Sequence, residues 1–260
     1  MNLLYRSLTS FIYVGLLLGS LYFSHVLFSF VACVITVITL WEIQRITHQK
    51  APLTYLFFPV LFFGSTYSHT GETLTLVLGT LGVIFSILFL KNRNKKAFNS
   101  VFITTLSLIG IAAPMVLLAL LGAKKPELAV FVFGIIWLND SGAFLIGSWK
   151  GKRPLSPTIS PNKTIEGSLG GLIITLIVMS FLNDAYFNLL PTNLLLPIVL
   201  ITAIMASLGD LVQSKLKRQC NVKDSGKILP GHGGMYDRID STLLAIPVYT
   251  LILFLSGYVS

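Results

Sequence analysis

Residues 101–121 read VFITTLSLIGIAAPMVLLALL, an apolar run that contains no charged side chain. A helix that crosses the hydrocarbon core of a bilayer needs about 20 such residues, so the run predicts a transmembrane helix. The whole chain shares this character. Of its 260 residues, 54% are hydrophobic and 11% are charged, and the mean hydropathy is +0.80. This composition lies outside the range of soluble domains and excludes a disordered or disulfide-rich chain.

Further apolar runs precede and follow this segment, with short polar breaks between them. We predict an all-α integral membrane protein of about nine transmembrane helices, with no room for a soluble catalytic domain. We assign helices one to five to an N-terminal region, residues 1–127, and helices six to nine to a catalytic region, residues 128–260. The predicted spans are 7–24, 25–43, 52–68, 73–90, 101–121, 128–149, 168–190, 194–213 and 241–258.

The basic residues are distributed unequally between the two sides that nine spans define. One side carries 17 of the 19 Lys and Arg residues, and the other carries only Lys124 and Lys125. Basic loops mark the cytoplasmic face, which predicts a cytoplasmic N-terminus, an outside C-terminus and a multi-pass protein of the inner cell membrane. The net charge of +9 is then explained by topology and anionic lipid, not by nucleic-acid binding.

Acidic residues are scarce in the first half, so the C-terminal half is predicted to carry the chemistry. Asp140 follows Asn139 about nine residues before the predicted end of its span, or roughly 14 Å into the membrane. A carboxylate there costs about 2.5 to 3.5 kcal/mol and must face a cavity or a partner. A functional role is favoured, with a structural hydrogen bond to another helix as the alternative.

Asp210 is the second acid within a predicted span. Ser214 and Lys217 follow it at helical spacing and share its helix face. This polar stripe indicates either a binding site or a helix end whose side chains reach back to the interface.

The polar loop after Asp210 combines basic residues, a glycine turn and two acids. Residues 230–234 read PGHGG, which forbids regular helix and lets backbone N–H groups approach an anion. Asp237 and Asp240 follow on one face at the start of the last helix, where they also suit the helix dipole. Carboxylates opposite phosphate oxygens are typical of Mg²⁺ sites, so the loop predicts phosphate and Mg²⁺. For His232 a turn hydrogen bond is favoured over metal ligation.

A second polar loop, residues 150–167, lies on the same side and contains three prolines. They predict a rigid, non-helical connection. Its basic and hydroxyl side chains, Lys163 and Thr164 among them, could bind a polyphosphate, whereas a solvated loop is the usual meaning of such a composition.

Together these motifs resemble the phosphatidate cytidylyltransferase (CDP-diacylglycerol synthase) family. The likeness covers residues 137–241, and earlier residues match only as hydrophobic spans. Gln213 stands where many members have Glu, and Ile165 replaces a frequent aromatic residue. The motif residues that carry the resemblance are Asn139, Asp140, Ser141, Ala143, Ser160, Pro161, Lys163, Thr164, Glu166, Gly167, Ser214, Lys217, Arg218, Lys223, Asp224, His232, Gly233, Gly234, Asp237, Arg238 and Asp240.

The resemblance implies transfer of CMP from CTP to phosphatidate, which yields CDP-diacylglycerol and pyrophosphate. It implies that Asp210, Asp237 and Asp240 hold Mg²⁺, with a second, monovalent cation left open. Lys217 and Lys223 are expected to act with these acids in catalysis. The expected substrate-binding residues are Ser214, Arg218, Lys163, Thr164, Arg238, His232, Gly233, Gly234, Asn139 and Asp140.

Three other functions remain open at this stage. A CTP-dependent polyprenol kinase would use the same nucleotide but release CDP, and an ether-lipid cytidylyltransferase would differ only in its acceptor. An ion-coupled transporter would also carry intramembrane acids, although paired inverted repeats are not evident. CTP, phosphatidate and membrane lipid are the expected partners, nucleic acid is not, and a homodimer is left open.

Overall fold

The computed structural model describes residues 3–92, 98–229 and 233–259. They form ten α-helices and one β-hairpin, so the predicted all-α architecture is confirmed. The helices are α1 (Leu3–Phe23), α2 (His25–Thr47), α3 (Leu53–Tyr67), α4 (His69–Lys91), α5 (Ser100–Ser107), α6 (Ala113–Lys124), α7 (Pro126–Lys150), α8 (Ile165–Leu182), α9 (Thr192–Gln219) and α10 (Tyr236–Leu255), and the strands are β1 (Pro154–Ser156) and β2 (Ser160–Thr164).

Two π-helical turns extend or join α-helices that are named separately above. Residues Leu108–Ala112 join α5 to α6, and Asn183–Phe187 extend α8. In the part of the chain that is described, seven continuous helices are long and apolar enough to cross a membrane. The apolar segments Phe11–Phe23 and Leu53–Tyr67 are shorter, so a count of nine crossings stays a prediction.

Two predicted span ends differ from the observed helix ends by five or six residues, about one and a half turns. The eighth span was expected to end at residue 213, but α9 continues to Gln219. The last span was expected to begin at residue 241, but α10 begins at Tyr236. Asp237 and Asp240 lie in the first turns of α10, which confirms their predicted place at the start of the last helix.

The loop between α7 and α8 is non-helical, as its prolines predict, but it forms an antiparallel hairpin that was not predicted. Pro154 pairs with Thr164, and Ser156 pairs with Ser160. The Thr164 hydroxyl accepts a hydrogen bond from the Gly167 N–H at 3.1 Å and caps α8, one of the donors that a helix start leaves unpaired.

Glycines bring α7 and α8 into close contact. A Cβ on Gly171 would lie 2.6 Å from the Asn139 carbonyl oxygen, and one on Gly142 would lie 3.0 Å from the Gly171 Cα. Small residues at helix interfaces allow such an approach within a membrane. The packing fixes the position of the neighbouring Asp140 relative to α8.

Lys215 joins α9 to α4. Its ammonium donates to the carbonyl oxygens of Phe89 and Leu90 at 2.5 and 3.0 Å, groups that the end of α4 leaves without helical partners. The side chain is buried, so this basic residue acts inside the helix bundle.

Candidate active site

A cavity of about 840 Å³ lies among α1, α7, α9, α10 and the β-hairpin. It brings together Asp140, Asp210, Asp237 and Asp240, which come from three helices and were all predicted site residues. Apolar side chains also line the cavity. The apolar lining includes Tyr13, Val14, Ile136, Trp137 and Phe144.

Asp210 connects α9 to the β-hairpin. Its carboxylate forms an ion pair with the ammonium of Lys163 from β2. It also accepts a hydrogen bond from the Ser214 hydroxyl at 3.1 Å, as their spacing of one helical turn predicts. The pair holds a residue of the non-helical loop over the acidic side of the cavity.

Asp140 and Asp240 meet at Ser241. The Ser241 hydroxyl donates to Asp140 at 3.1 Å, and the Ser241 N–H donates to Asp240 at 2.8 Å. Asp140 thus makes a hydrogen bond to another helix, which the sequence analysis gave as the alternative to a functional role. It also lines the cavity.

Three carboxylates of the cavity interact electrostatically. Asp140, Asp210 and Asp240 act on one another, and the Lys163 ammonium acts on the group. Like charges at this proximity repel, so a further cation would stabilise the group. Among the described residues, however, no three His, Cys, Asp or Glu side chains are close enough to hold one metal ion.

Asp237 has a different environment, because five donors surround its carboxylate. Oδ1 accepts from the Lys217 ammonium at 2.7 Å and from the Gln213 amide at 3.2 Å. Oδ2 accepts from the Ser225 N–H at 2.9 Å and from the Gly234 N–H at 2.8 Å, and the Ser225 hydroxyl lies 3.1 Å from it. Asp237 therefore fixes the loop between α9 and α10 to both helices.

The glycine turn is shaped around Asp237. Gly233 has a φ of 86°, a conformation that favours glycine, and a Cβ there would lie 2.5 Å from Asp237 Oδ2. Pro230, Gly231 and His232 lie outside the described residues, so the prediction for His232 has no structural counterpart.

Not every predicted residue lines the cavity. Thr164 and Arg238 do. Asn139 is instead buried between helices, where its amide donates to the Ser207 hydroxyl at 2.9 Å. Lys217 is not among the lining residues, and its ammonium pairs with Asp237.

The remaining basic residues predicted for the site lie further out. Arg218 is exposed, and its guanidinium donates to the Ile159 carbonyl at 3.5 Å. This contact connects the hairpin to the end of α9. Lys223 is exposed on the following loop and is not part of the cavity lining.

Glu42 of α2 is the residue that the sequence analysis missed. Its side chain is fully buried, and its carboxylate accepts hydrogen bonds from Ser225, Met235 and Tyr236. The predicted span ended at residue 43, which placed Glu42 at the membrane boundary. A single acid in an apolar span was the available signal, because such acids are rare without a function.

Comparisons with known proteins show the family to which the chain belongs. A model described as "Cytidylyltransferase family" matches residues 4–256. Proteins named phosphatidate cytidylyltransferase from Staphylococcus haemolyticus (strain JCSC1435) and Staphylococcus aureus (strain COL) are 49% identical over 127 residues and 48% identical over 128 residues. These matches cover 48% and 49% of both chains, so the chain spans about half the length of the curated relatives it matches. Its many apolar helices are those of a multi-pass membrane protein.

Proposed function

Since the chain belongs to the cytidylyltransferase family, we propose that it transfers CMP from CTP to phosphatidate. The products are CDP-diacylglycerol and pyrophosphate. One observation carries the proposal: a single cavity is lined by acidic and basic residues and also by apolar residues. A lipid phosphate and a nucleotide can meet there while the acyl chains stay in the bilayer.

The proposed topology has nine crossings, a cytoplasmic N-terminus and an outside C-terminus, in the inner cell membrane. The unequal distribution of basic residues supports this orientation. It places the β-hairpin and the loop between α9 and α10 on the cytoplasmic side, where CTP is available.

In the proposed reaction, a phosphatidate oxygen attacks the α-phosphorus of CTP. A new P–O bond forms as the bond to the β-phosphate oxygen breaks, and pyrophosphate leaves with that oxygen. The attacking phosphate is largely ionised near pH 7, because its second pKa is about 6. No general base is therefore required, and positioning and charge neutralisation supply the catalysis.

Basic side chains offset the repulsion between the two anionic substrates. Lys163 and Arg238 reach the cavity, and Lys217 supports it from behind Asp237. We assign Lys163 and Arg238 to the phosphates directly. Arg218 and Lys223 lie nearer the cytoplasm and would meet the outer phosphates of CTP.

The acidic side fits a magnesium ion. Mg²⁺ usually binds through one or two carboxylates together with substrate phosphates and water, which agrees with the lack of a three-acid group among the described residues. Asp210 and Asp240 are the residues that would hold it, and Asp237 would join only if a donor such as Lys217 moved away. When bound, the ion would neutralise charge that develops on the phosphate oxygens.

The test uses detergent-purified full-length protein with phosphatidate, Mg²⁺ and labelled CTP. We expect labelled CDP-lipid and pyrophosphate in equal amounts. Release of CDP would support a lipid kinase instead, and no CTP-dependent product would refute the proposal. Asp210→Asn should lower activity roughly 100- to 1,000-fold, the loss typical of removing one electrostatic group from a reaction centre. Asp184→Asn, at an exposed acid of the second π turn, is the matched control.

A further inference from the structure

The buried carboxylate of Glu42 receives hydrogen bonds from the loop that precedes α10. The Met235 N–H donates to Oε1 at 3.0 Å, and the Tyr236 N–H donates to Oε2 at 2.9 Å. These N–H groups belong to the residue before α10 and to its first residue, and they have no partners within the helix. A carboxylate at a helix N-terminus is also favoured by the helix dipole. Glu42 therefore caps α10 although it comes from α2.

The same carboxylate is connected to Asp237 through one residue. The Ser225 hydroxyl donates to Glu42 Oε2 at 2.8 Å and lies 3.1 Å from Asp237 Oδ2. A hydroxyl has one proton, so the shorter bond to Glu42 leaves the Ser225 N–H, at 2.9 Å, to bind Asp237. By binding the Ser225 hydroxyl, Glu42 thus helps to orient the Ser225 N–H toward Asp237.

Glycines on both sides of the loop fit closely around this carboxylate. A Cβ on Gly226 or Gly234 would collide with a carboxylate oxygen of Glu42. The Gly234 N–H is at the same time a donor to Asp237. The backbone at Gly234, which contacts Asp237, therefore also packs closely against Glu42.

We propose that Glu42 is a positioning residue of the active site, which orders the loop between α9 and α10 and, through Ser225, orients Asp237. The proposal rests on the proposed cytidylyl transfer. The N-terminal helices then contribute to catalysis, because Glu42 of α2 positions Asp237 of α10.

The experiment compares Glu42→Gln with Ser225→Ala and with Glu72→Gln. Glutamine keeps the shape of glutamate but replaces one oxygen with an NH₂ donor, so at least one N–H of α10 loses its acceptor. Glu72 is the matched control, an acid of the first half that pairs with Lys124 at 2.7 Å, outside the cavity lining.

Kinetics are measured per folded enzyme, with the folded fraction taken from size-exclusion elution and a thermal melt. For Glu42→Gln we expect kcat to fall about 100-fold, the size of loss that misplacement by about 1 Å gives. The KM for CTP should change less than kcat, because Lys163 of the hairpin and Arg218 of α9, two of the cations assigned to the phosphates, lie outside the loop that Glu42 contacts. Ser225→Ala should lose about 10-fold in kcat, since one bond to a charged group is removed.

Loop position is read independently of activity by thiol labelling. In a Cys33→Ala background, Cys220 is the one remaining cysteine, and it lies within electrostatic range of Tyr236. Burial raises the pKa of the Cys220 thiol to about 11, and because the thiolate is the reactive form, labelling of the unaltered loop is slow. Glu42→Gln should accelerate it.

Each outcome decides a separate question. A folded Glu42→Gln protein with kcat within threefold of the wild type would overturn the positioning role. If Glu42→Gln does not fold, the positioning role would be overturned by a Ser225→Ala protein with an unaltered kcat and an unaltered rate of Cys220 labelling. If the wild type makes no CDP-lipid, the proposed function fails, while the labelling rates still show whether Glu42 orders the loop.

Discussion

Replacing Gly209 with alanine should disturb the active site without altering any charged group. Gly209 is buried where α9 crosses α10, next in sequence to Asp210. A Cβ at this position would lie 2.5 Å from the Asp240 carbonyl oxygen and 3.3 Å from the Ser241 Cα. The added methyl group therefore pushes directly on the backbone that carries Asp240.

The size of the effect follows from these distances. Real Cβ atoms essentially never come within 3.0 Å of such a neighbour, so α9 and α10 must separate by about half an ångström. Overpacking of this kind costs about 1–3 kcal/mol in unfolding free energy. Since misplacement by about 1 Å can cost 100-fold in rate, half that displacement should lower kcat about 10-fold.

The assay measures CDP-lipid formation and thermal unfolding of the purified variant. Gly64→Ala in α3 is the matched control, because a Cβ there would meet nothing within 4 Å. We expect the control to keep its activity and melting temperature. If Gly209→Ala also kept both, the close approach of α9 and α10 would not be what places Asp210 and Asp240.

Two further substitutions test the surroundings of the cavity. Gln213→Glu should lower the melting temperature without Mg²⁺, because the buried amide that donates to Asp237 and to the Tyr236 carbonyl is replaced by a further acceptor. Added Mg²⁺ should restore the melting temperature. A melting temperature equal to that of the wild type in both conditions would contradict this reasoning. Glu166→Gln should raise the KM for CTP several-fold at an unchanged melting temperature. Glu166 accepts hydrogen bonds from the N–H and guanidinium of Arg153 at 3.1 and 2.7 Å, and these bonds hold the hairpin that carries Lys163. An unaltered KM would show that the hairpin does not depend on them.

The helices could be predicted because the bilayer allows few alternatives. A long apolar run must satisfy its backbone hydrogen bonds internally, so the run at 101–121 almost coincides with the helix Ser100–Lys124. Prolines likewise exclude helix from the loop at 150–167. They do not specify strand pairing there, which depends on contacts such as the one between Arg153 and Glu166.

The acids of the cavity were predictable for a related reason. A carboxylate is costly within a membrane, so its presence alone indicates a function, and Asp140 and Asp210 were found in this way. The partners of Asp237 were not predictable, because its donors lie up to 24 residues away in sequence. Glu42 is separated by 194 residues from Tyr236, and no local pattern reports such a contact.

The two groups of acids are stabilised by different means, and this difference assigns their tasks. Asp237 and Glu42 are surrounded by fixed donors of the protein, so binding of a cation there would require bonds to break. Asp140, Asp210 and Asp240 face the cavity, repel one another and share the influence of Lys163. A bound cation such as the proposed magnesium ion would relieve that repulsion. The geometry therefore favours a division of labour, in which Glu42 and Asp237 hold the loop in place and the group around Asp210 meets the reacting phosphates.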